Sequence, residues 1–576
     1  MGAKLNRLVD RYRLSVARHD AVPQLALLGI LAGLLAGATI IAFRLLVAWL
    51  HAGLTDGQQI EHYQLLPSEY RFLLPLAGGL AIGILFHCLP ASERRVGILH
   101  ILERLAYHQG TLPWRNGLVQ FVGGTIALAC GHSVGREGPS AHLGAASSNL
   151  PAQGLRLPHN SLRVTAACGA AAGIAASFNT PLAGVAFAME VLIMEYTVAG
   201  FAPVILAAVS ATMLTRWVFG HHLTFTVPDV TPGTLVELPY IMLAGIVIGL
   251  LGAAFVVTVE RLVRHAQRVP VWIGFGLAGA VVGVCGLAVP EVMGVGDQTI
   301  TRTLQGAYGF ELLLIILGLK ILASAACIGA GVPGGIIGPS LVIGAAAGAL
   351  FALLGAWLGI TDSASVTLYG LTGMGAMMAA ILQAPLAGLI AVLELSGHPN
   401  VILPGMLAVV SATLAAGFFT RRESVFQGLM RQLGLDYRND PITQSLRRVG
   451  VAAVMERAFV TLPPAVQREQ AERGLADDPR WILVREPEQP AVILAAVDLL
   501  RALRDAPDSA RFDLRQLPAQ RLQVERIDLQ ASLQEAHQRV RDTGAEALYV
   551  ARTTAPGIER VYGILTPEGI EQAYRG

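Results

Sequence analysis

From about Val22 to Phe419 the chain is a succession of apolar runs separated by short polar breaks, and this pattern stops beyond about 431. Runs at 22–53, 71–90, 162–178, 201–219, 236–263 and 271–289 come near the ~20 apolar residues that a helix needs to cross a bilayer. A second series follows at 310–330, 335–359, 366–382 and 401–419. Between them lie glycine-broken segments too short to span alone, at 181–194 and 385–395, and a partly polar helix over 92–108. The connection 149–160, rich in Pro and Asn, reads as a loop. The pattern predicts an all-α polytopic membrane domain with broken helices over 22–431, preceded by a polar segment, 1–21. After a linker, 432–448, short apolar runs alternate with amphipathic stretches, which predicts an α/β tail of two modules, 449–510 and 518–576.

Composition agrees with this division. The chain is 53% hydrophobic and only 14% charged, with a mean hydropathy of +0.56, which excludes an ordinary soluble globule. Of its 82 charged residues, 37 lie in the last 136 positions, so the charge belongs to the tail. The net charge of +2 gives no reason to expect a nucleic-acid partner. Five cysteines (Cys88, Cys130, Cys168, Cys285, Cys327) lie in or beside apolar runs without metal-type spacing, and no disulfide framework follows from them. Lys4, Arg7, Arg11, Arg13 and Arg18 outnumber Asp10 and Asp20 before the first run, and no small-residue cleavage pattern follows. A cytoplasmic N-terminus is therefore expected rather than a signal peptide.

The candidate chemistry sits in two related strings. Gly135-Arg136-Glu137-Gly138-Pro139-Ser140 and Gly335-Ile336-Ile337-Gly338-Pro339-Ser340 are 200 positions apart, and each is followed four residues later by Gly-Ala-Ala. Glycine lets the backbone turn with its amides uncovered, and proline is tolerated in a helix's first turn. Each string thus reads as a loop opening into a helix, with free N–H groups and a positive dipole end. A second echo, Pro181-Leu182-Ala183-Gly184 against Pro385-Leu386-Ala387-Gly388, extends outward to Glu190 and Glu394 and to Gly169 and Gly373. Together they indicate two related halves.

Dehydrating a small anion costs on the order of 20 kcal/mol in the idealised Born limit, and amides at helix starts can replace its water shell. Only the first string carries a charge at its tip, Glu137. Its carboxylate would compete with an anion, and protonation would neutralise it and free the site, making one residue both gate and proton carrier. Glu190 and Glu394, symmetrically placed, read as structural; Arg44 and Lys320 receive no role. Gly131-His132-Ser133-Val134-Gly135 fits the nucleophile elbow Gly-x-Ser-x-Gly and leaves a membrane-anchored hydrolase as a remote alternative, although no strand is expected before it.

At these residues the sequence resembles the CLC family of chloride channels and chloride/proton antiporters, across about 22–431. Gly135-Arg136-Glu137-Gly138-Pro139 matches the family's gating-glutamate motif, and Gly335 to Pro339 falls where the family has Gly-x-Phe-x-Pro, with Ile337 for the phenylalanine. The resemblance implies a homodimer in a bacterial inner membrane, each subunit built from two inverted halves around one anion path, with cytoplasmic N- and C-termini. It implies Glu137 as gate and proton acceptor, and anion contacts from Val96, Gly97, Ile98, Arg136, Gly138, Gly335, Ile336, Ile337 and Phe426. Val96 and Phe426 replace the family's serine and tyrosine, so both side-chain hydroxyl donors to the central anion are missing. Val191 stands where many antiporters have a second glutamate. On that ground a passive, voltage- or pH-gated chloride channel is the leading expectation and chloride/proton exchange the runner-up. The tail resembles a pair of CBS modules. In that resemblance Asp498 and Thr566 imply a regulatory adenine nucleotide, with a purely structural tail as the alternative; no other cofactor and no metal is expected.

Overall fold

The computed structural model describes residues 10, 12–18, 21–55, 62–194, 198–221, 225, 227–228, 230, 237–361, 365–435, 441–486, 490–555 and 558–575. Lys4, Arg7, Arg11 and Asp20, and part of the expected linker, lie outside the described residues. The chain forms two compact units. One comprises Leu25–Ala152 and Arg163–Tyr437; the other joins Met1–Gln24 and Gln153–Leu162 to Arg438–Gly576.

The first unit is helical, and among the described residues nine helices are long and apolar enough to cross a membrane. Its first half runs α1 (Val22–Leu54), α2 (Ser68–Cys88), α3 (Gly97–Tyr107), α4 (Trp114–Ala129), α5 (Glu137–Gly154), α6 (His159–Phe178), α7 (Pro181–Phe187) and α8 (Val198–Phe219). The second half runs α9 (Leu238–Ala266), α10 (Val271–Ala288), α11 (Asp297–Leu304), α12 (Phe310–Ala330), α13 (Ile337–Trp357), α14 (Val366–Leu382), α15 (Pro385–Ser396), α16 (Ile402–Phe419) and α17 (Val425–Gln432). At 33 residues α1 is about 50 Å long, so it must tilt to fit a ~30 Å hydrocarbon core.

Two expectations needed correction. The loop expected at 149–160 is helical as far as Gly154, through Pro151. Asn149 is satisfied internally there: its Oδ1 accepts from Leu112 N–H at 3.1 Å and its Nδ2 donates to Thr165 Oγ1 at 3.3 Å. The helix expected from 92 starts only at Gly97, whose φ of +76° ends an extended approach. The short polar helix α11 has no apolar run to announce it, whereas α17 begins where the resemblance puts the start of the last membrane helix, near Phe426, behind a Ser424–Gln427 capping box.

The repeated glycines mark close helix crossings. A methyl group on Gly144 would overlap the Gly169 carbonyl where α5 crosses α6, and one on Gly344 would overlap the Gly373 carbonyl where α13 crosses α14. Without a hydrophobic drive between helices in lipid, such small-residue contacts supply the packing. The halves are not identical: α7 continues into a π-helical turn, Ala188–Ile193, whereas α15 is uninterrupted.

The second unit carries α18 (Pro441–Arg448), α19 (Val451–Val454), β1 (Phe459–Leu462), β2 (Ala465–Gln467), α20 (Arg468–Leu475), β3 (Trp481–Val484), β4 (Ala491–Ala495), α21 (Ala496–Asp505), β5 (Arg511–Asp513), β6 (Arg521–Asp528), α22 (Leu533–Thr543), β7 (Ala547–Ala555), β8 (Ile558–Leu565) and α23 (Pro567–Arg575). One six-stranded sheet runs β1-β3-β4-β6-β7-β8, and β2 pairs with β5 apart from it. Within each expected module the first strand pairs in parallel, β1 with β3 and β6 with β7; the two sets join through antiparallel β4 and β6. The segment 153–162 is held in this unit by side chains. Gln530 Nε2 donates to Leu157 O at 2.9 Å, Asn160 Nδ2 to Arg448 O at 3.0 Å, and His159 Nδ1 lies 2.9 Å from Glu535 Oε2.

Two predictions follow from this packing. Gly344→Ala and Gly373→Ala should each lower stability by about 1–3 kcal/mol through overpacking, read as a lower thermal midpoint of the purified protein. Burial alone would raise the Glu535 carboxyl, but the hydrogen bond and charge of His159, with hydrogen bonds from Ser532, hold it below its ordinary value. Its contribution to stability is therefore complete above the unfolded carboxylate pKa of about 4.3 and fades as pH falls through the lowered folded value. Hydrogen exchange over 155–160 should accelerate in that acid range in the native chain, and should already be fast at neutral pH in Glu535→Gln.

Candidate functional site

The two strings meet. Gly135 N–H donates to Gly335 O at 2.8 Å and Gly335 N–H donates back to Gly135 O at 2.7 Å, forming an antiparallel bridge between equivalent positions of the two halves. From this bridge α5 and α13 depart with their N-termini side by side. Ser140 Oγ donates to Arg136 O at 2.7 Å and Ser340 Oγ to Ile337 O at 2.6 Å, so both first turns are closed by an equivalent hydroxyl. A methyl on Gly138 would come 2.6 Å from Gly334 O, and one on Gly135 or Gly335 would overlap the Glu137 carboxylate. The motif glycines are therefore required by close approach of the loops.

Glu137 opens α5 and is fully buried. Its Oε1 accepts the N–H of Ile337, the first residue of α13, and the amide of Gly338 also faces the carboxylate. The carboxylate of one half thus occupies the helix start of the other, the position where amides would hold an anion. Arg136 does not share the site through its side chain. Its guanidinium lies 3.3 Å from Asp297 and 4.4 Å over the Phe178 ring. No direct Arg136–Glu137 pairing occurs among the described residues.

A third helix start approaches the same place. Val96 precedes α3 without a side-chain cap, and among the described residues no side chain bonds the first amides of α3, at Gly97 and Ile98. Gln120, fully buried, lies between: its Oε1 is 3.9 Å from the Cβ position of Gly97, and its Nε2 donates to Pro333 O at 3.2 Å. No sequence signal marks Gln120, since one amide in an apolar helix has no characteristic spacing. Phe426, buried, is the second residue of α17, which packs against α3. Ser424 accepts from Gln427 N–H at 3.2 Å, so the start of α17 is partly capped by its own side chain. Neither Val96 nor Phe426 brings a hydroxyl. His100 and His142 likewise have no sequence signal; their rings join α3 to α5 through Nδ1 and Nε2 at 2.8 Å.

The other charges are structural anchors. Glu394 accepts the N–H groups of Leu182 and Ala183 at 3.0 and 2.7 Å, and Glu190 accepts those of Leu386 and Ala387 at 3.1 and 2.6 Å. Each half thus caps the broken helix of the other. Lys320 Nζ donates to Val292 O and Gly294 O, bracing the loop that delivers Asp297, and Arg44 lies 4.0 Å over Phe219. Val191 is buried in the π-helical turn. The nucleophile-elbow reading fails on geometry: Ser133 follows a helix rather than a strand, and its Oγ lies 2.9 Å from Ser324 Oγ. In the tail, Asp498 is in the first turn of α21, 3.8 Å from Arg501, and Thr566 accepts from Gly569 N–H at 3.3 Å before α23. Each begins the last helix of its expected module.

Residues 78–417 match the family described as the voltage gated chloride channel. The chain belongs to the CLC family. A putative chloride channel protein, ClcB-like, from Ralstonia nicotianae is 32% identical over 378 residues, 64% of this chain and 87% of that one. H(+)/Cl(−) exchange transporters ClcA from Vibrio cholerae and Cronobacter sakazakii are 30% and 31% identical, covering 68% and 69% of this chain and 85% and 88% of theirs. A slow cyanobacterial Cl−/H+ antiporter shares the fold at a TM-score of 0.63 and 23% identity, over 71% of this chain and 97% of that one. A eukaryotic CLC transporter does so at 0.59 and 19%, over 95% of this chain and 97% of the other, so the likeness takes in the tail. This CLC protein is an integral membrane protein of anion transport with two inverted repeats, and its C-terminal α/β domain has strands consistent with a CBS pair.

Glu190→Ala and Glu394→Ala should each leave two helix-start amides without their carboxylate and lower stability by roughly 1–3 kcal/mol. The denaturation midpoint should fall, while chloride flux per folded protein and its pH dependence stay as in the native chain.

Proposed function

We propose that this CLC protein exchanges chloride for protons, with Glu137 as both gate and proton carrier. The observation that carries this reading is the buried Glu137 carboxylate lodged on the start of α13 at Ile337. As a carboxylate it accepts a charge-assisted hydrogen bond there; once protonated it loses most of that attraction and gives up the amide to an incoming anion. A group that must gain a proton before an anion can take its place ties the two ions to one site. The exchange transporters among the relatives support this over the passive channel that Val191 first favoured. A cavity of about 30 Å3 adjoins Glu137, walled by Phe178, Phe187, Met378 and Leu395, with room for about a water or two. It supports proton access that does not need a glutamate at 191.

The anion itself meets amides of Gly97, Ile98, Ile336, Ile337 and Gly138 rather than hydroxyls, which implies weak central binding. We read the protein as a homodimer in a bacterial inner membrane with both termini cytoplasmic. The exposed apolar faces of α8 and α16, with Met213, Trp217, Leu403 and Leu414, support a membrane-embedded partner surface. Adenine-nucleotide control through Asp498 and Thr566 belongs to the same reading.

The test is the reversal potential of the protein in planar bilayers under opposed chloride and proton gradients. A value displaced from the chloride equilibrium potential is expected; a value at it would overturn exchange in favour of a channel. Glu137→Gln should keep chloride flux and abolish proton movement. Its flux should also lose most of its dependence on external pH between about 4 and 8, a window that includes the ordinary carboxylate pKa of about 4.3. Retention of the native pH dependence would remove Glu137 from the gate.

A further inference from the structure

Two long apolar helices end side by side in arginines. The last turns of α9 carry Arg261, Arg264 and His265, with Arg268 just beyond, and α16 gives way at Phe419 to Thr420, Arg421 and Arg422. Between these ends and α17 lies a cleft of about 360 Å3, within the range of small-ligand pockets. It is lined by Val256, Val257 and Phe419 together with Glu260, Arg264, Arg421 and Arg431. Phe418 and Phe419 are 84% and 60% exposed apolar rings, and the arginines that follow them at the helix end reach toward the headgroups.

The charges in the cleft are unevenly committed. Arg431 is paired with Glu423 at 2.6 Å. Among the described residues, the side chains of Arg264, Arg421 and Glu260 make no hydrogen bond or ion pair. Two features hold the free groups in place. Arg421 and Arg422 both adopt a left-handed backbone, φ +57° and +58°, rare for residues with a side chain, and Arg422 N–H returns to Gly417 O at 3.0 Å. The Glu260 carboxylate lies against the backbone of α17 at Gly428, where a methyl group would overlap it.

Two unpaired guanidinium groups and one unpaired carboxylate, at the ends of two apolar helices and beside the exposed Phe419, describe a ligand with a phosphate, a hydrogen-bonding cation and a hydrocarbon tail. We infer that this cleft binds the headgroup of a primary-amine zwitterionic phospholipid, with the phosphate between Arg264 and Arg421, the ammonium on Glu260 and the acyl chains leaving past Phe419. A purely anionic headgroup would satisfy the two arginines but leave the Glu260 carboxylate without a cationic N–H donor. A choline headgroup has no N–H to donate to Glu260.

The test uses the full-length protein in nanodiscs of phosphatidylcholine containing equal minor fractions of phosphatidylethanolamine and phosphatidylglycerol, with retained lipid counted by native mass spectrometry. Preferential retention of phosphatidylethanolamine is expected. Arg264→Ala/Arg421→Ala should reduce that retention about tenfold or more, the scale of one lost charge-assisted contact. Glu260→Gln should abolish the preference for ethanolamine over choline while leaving phosphate-dependent retention. Chloride flux serves as the check of folding, and Arg264→Lys/Arg421→Lys, which keeps the charge, should retain part of the binding should the alanine pair misfold. Equal retention of all three lipids, or retention unchanged in the arginine variants, would mean ordinary boundary arginines and overturn the proposal. Phosphatidylglycerol retained over phosphatidylethanolamine regardless of Glu260 would overturn it in favour of an anionic-lipid site. Displacement by water-soluble phosphoethanolamine at concentrations equal to the lipid would overturn it in favour of a soluble ligand.

Discussion

The transport unit depends on one contact, the hydrogen bond by which the Glu137 carboxylate of the first repeat lies on the Ile337 amide of the second. A helix start inside a membrane presents amides that must find a partner, since no lipid group can supply one. Either the protein's own carboxylate or a mobile anion can do so, and the two cannot do so together. The reciprocal bridge between Gly135 and Gly335 keeps the two helix starts at the distance where that competition works. Gate and binding site are consequently one place, built from backbone.

This arrangement explains why the surrounding sequence is so rich in small residues. Backbone can serve as an ion ligand only where no side chain stands in front of it, and two repeats can share a site only if their helices approach closely. Gly144 against Gly169 and Gly344 against Gly373 provide the approach, and Gly135, Gly138 and Gly335 clear the space around the carboxylate. The exchange of caps between Glu190 and Glu394 applies the same logic to the broken helices α7 and α15. Three glutamates in one apolar unit therefore do different work. Two are held by two amides each and anchor the repeats, while Glu137 has one carboxylate oxygen on an amide and the other without a hydrogen bond among the described residues.

The tail follows a different rule. Its charges are solvated or paired along a sheet, and its two modules join through ordinary strand pairing of β4 with β6. The segment 153–162 belongs to it through His159, Asn160 and Leu157 although it lies between two membrane helices in the chain. The transport unit is thus interrupted, in sequence, by a piece that folds with the tail.

Much was legible in the chain order. Apolar run length placed the spans from Val22 to Phe419, because the bilayer imposes a minimum length that composition alone reveals. The 200-residue echo identified the two halves, and a carboxylate at the tip of one string where the other has Ile337 singled out Glu137, because a carboxylate in an apolar surrounding needs a reason. The short polar helix α11 was not legible, since nothing in its composition departs from a loop. Nor were Gln120, the pairing of His100 with His142, or the turning of Arg136 toward Asp297. In each case the partner is distant in sequence, and a lone polar residue in a helix has no period that names it. The sequence determined which residues could hold an anion. Only the tertiary structure decided that Glu137 already occupies their place, because that depends on a loop 200 residues away meeting it at hydrogen-bonding distance.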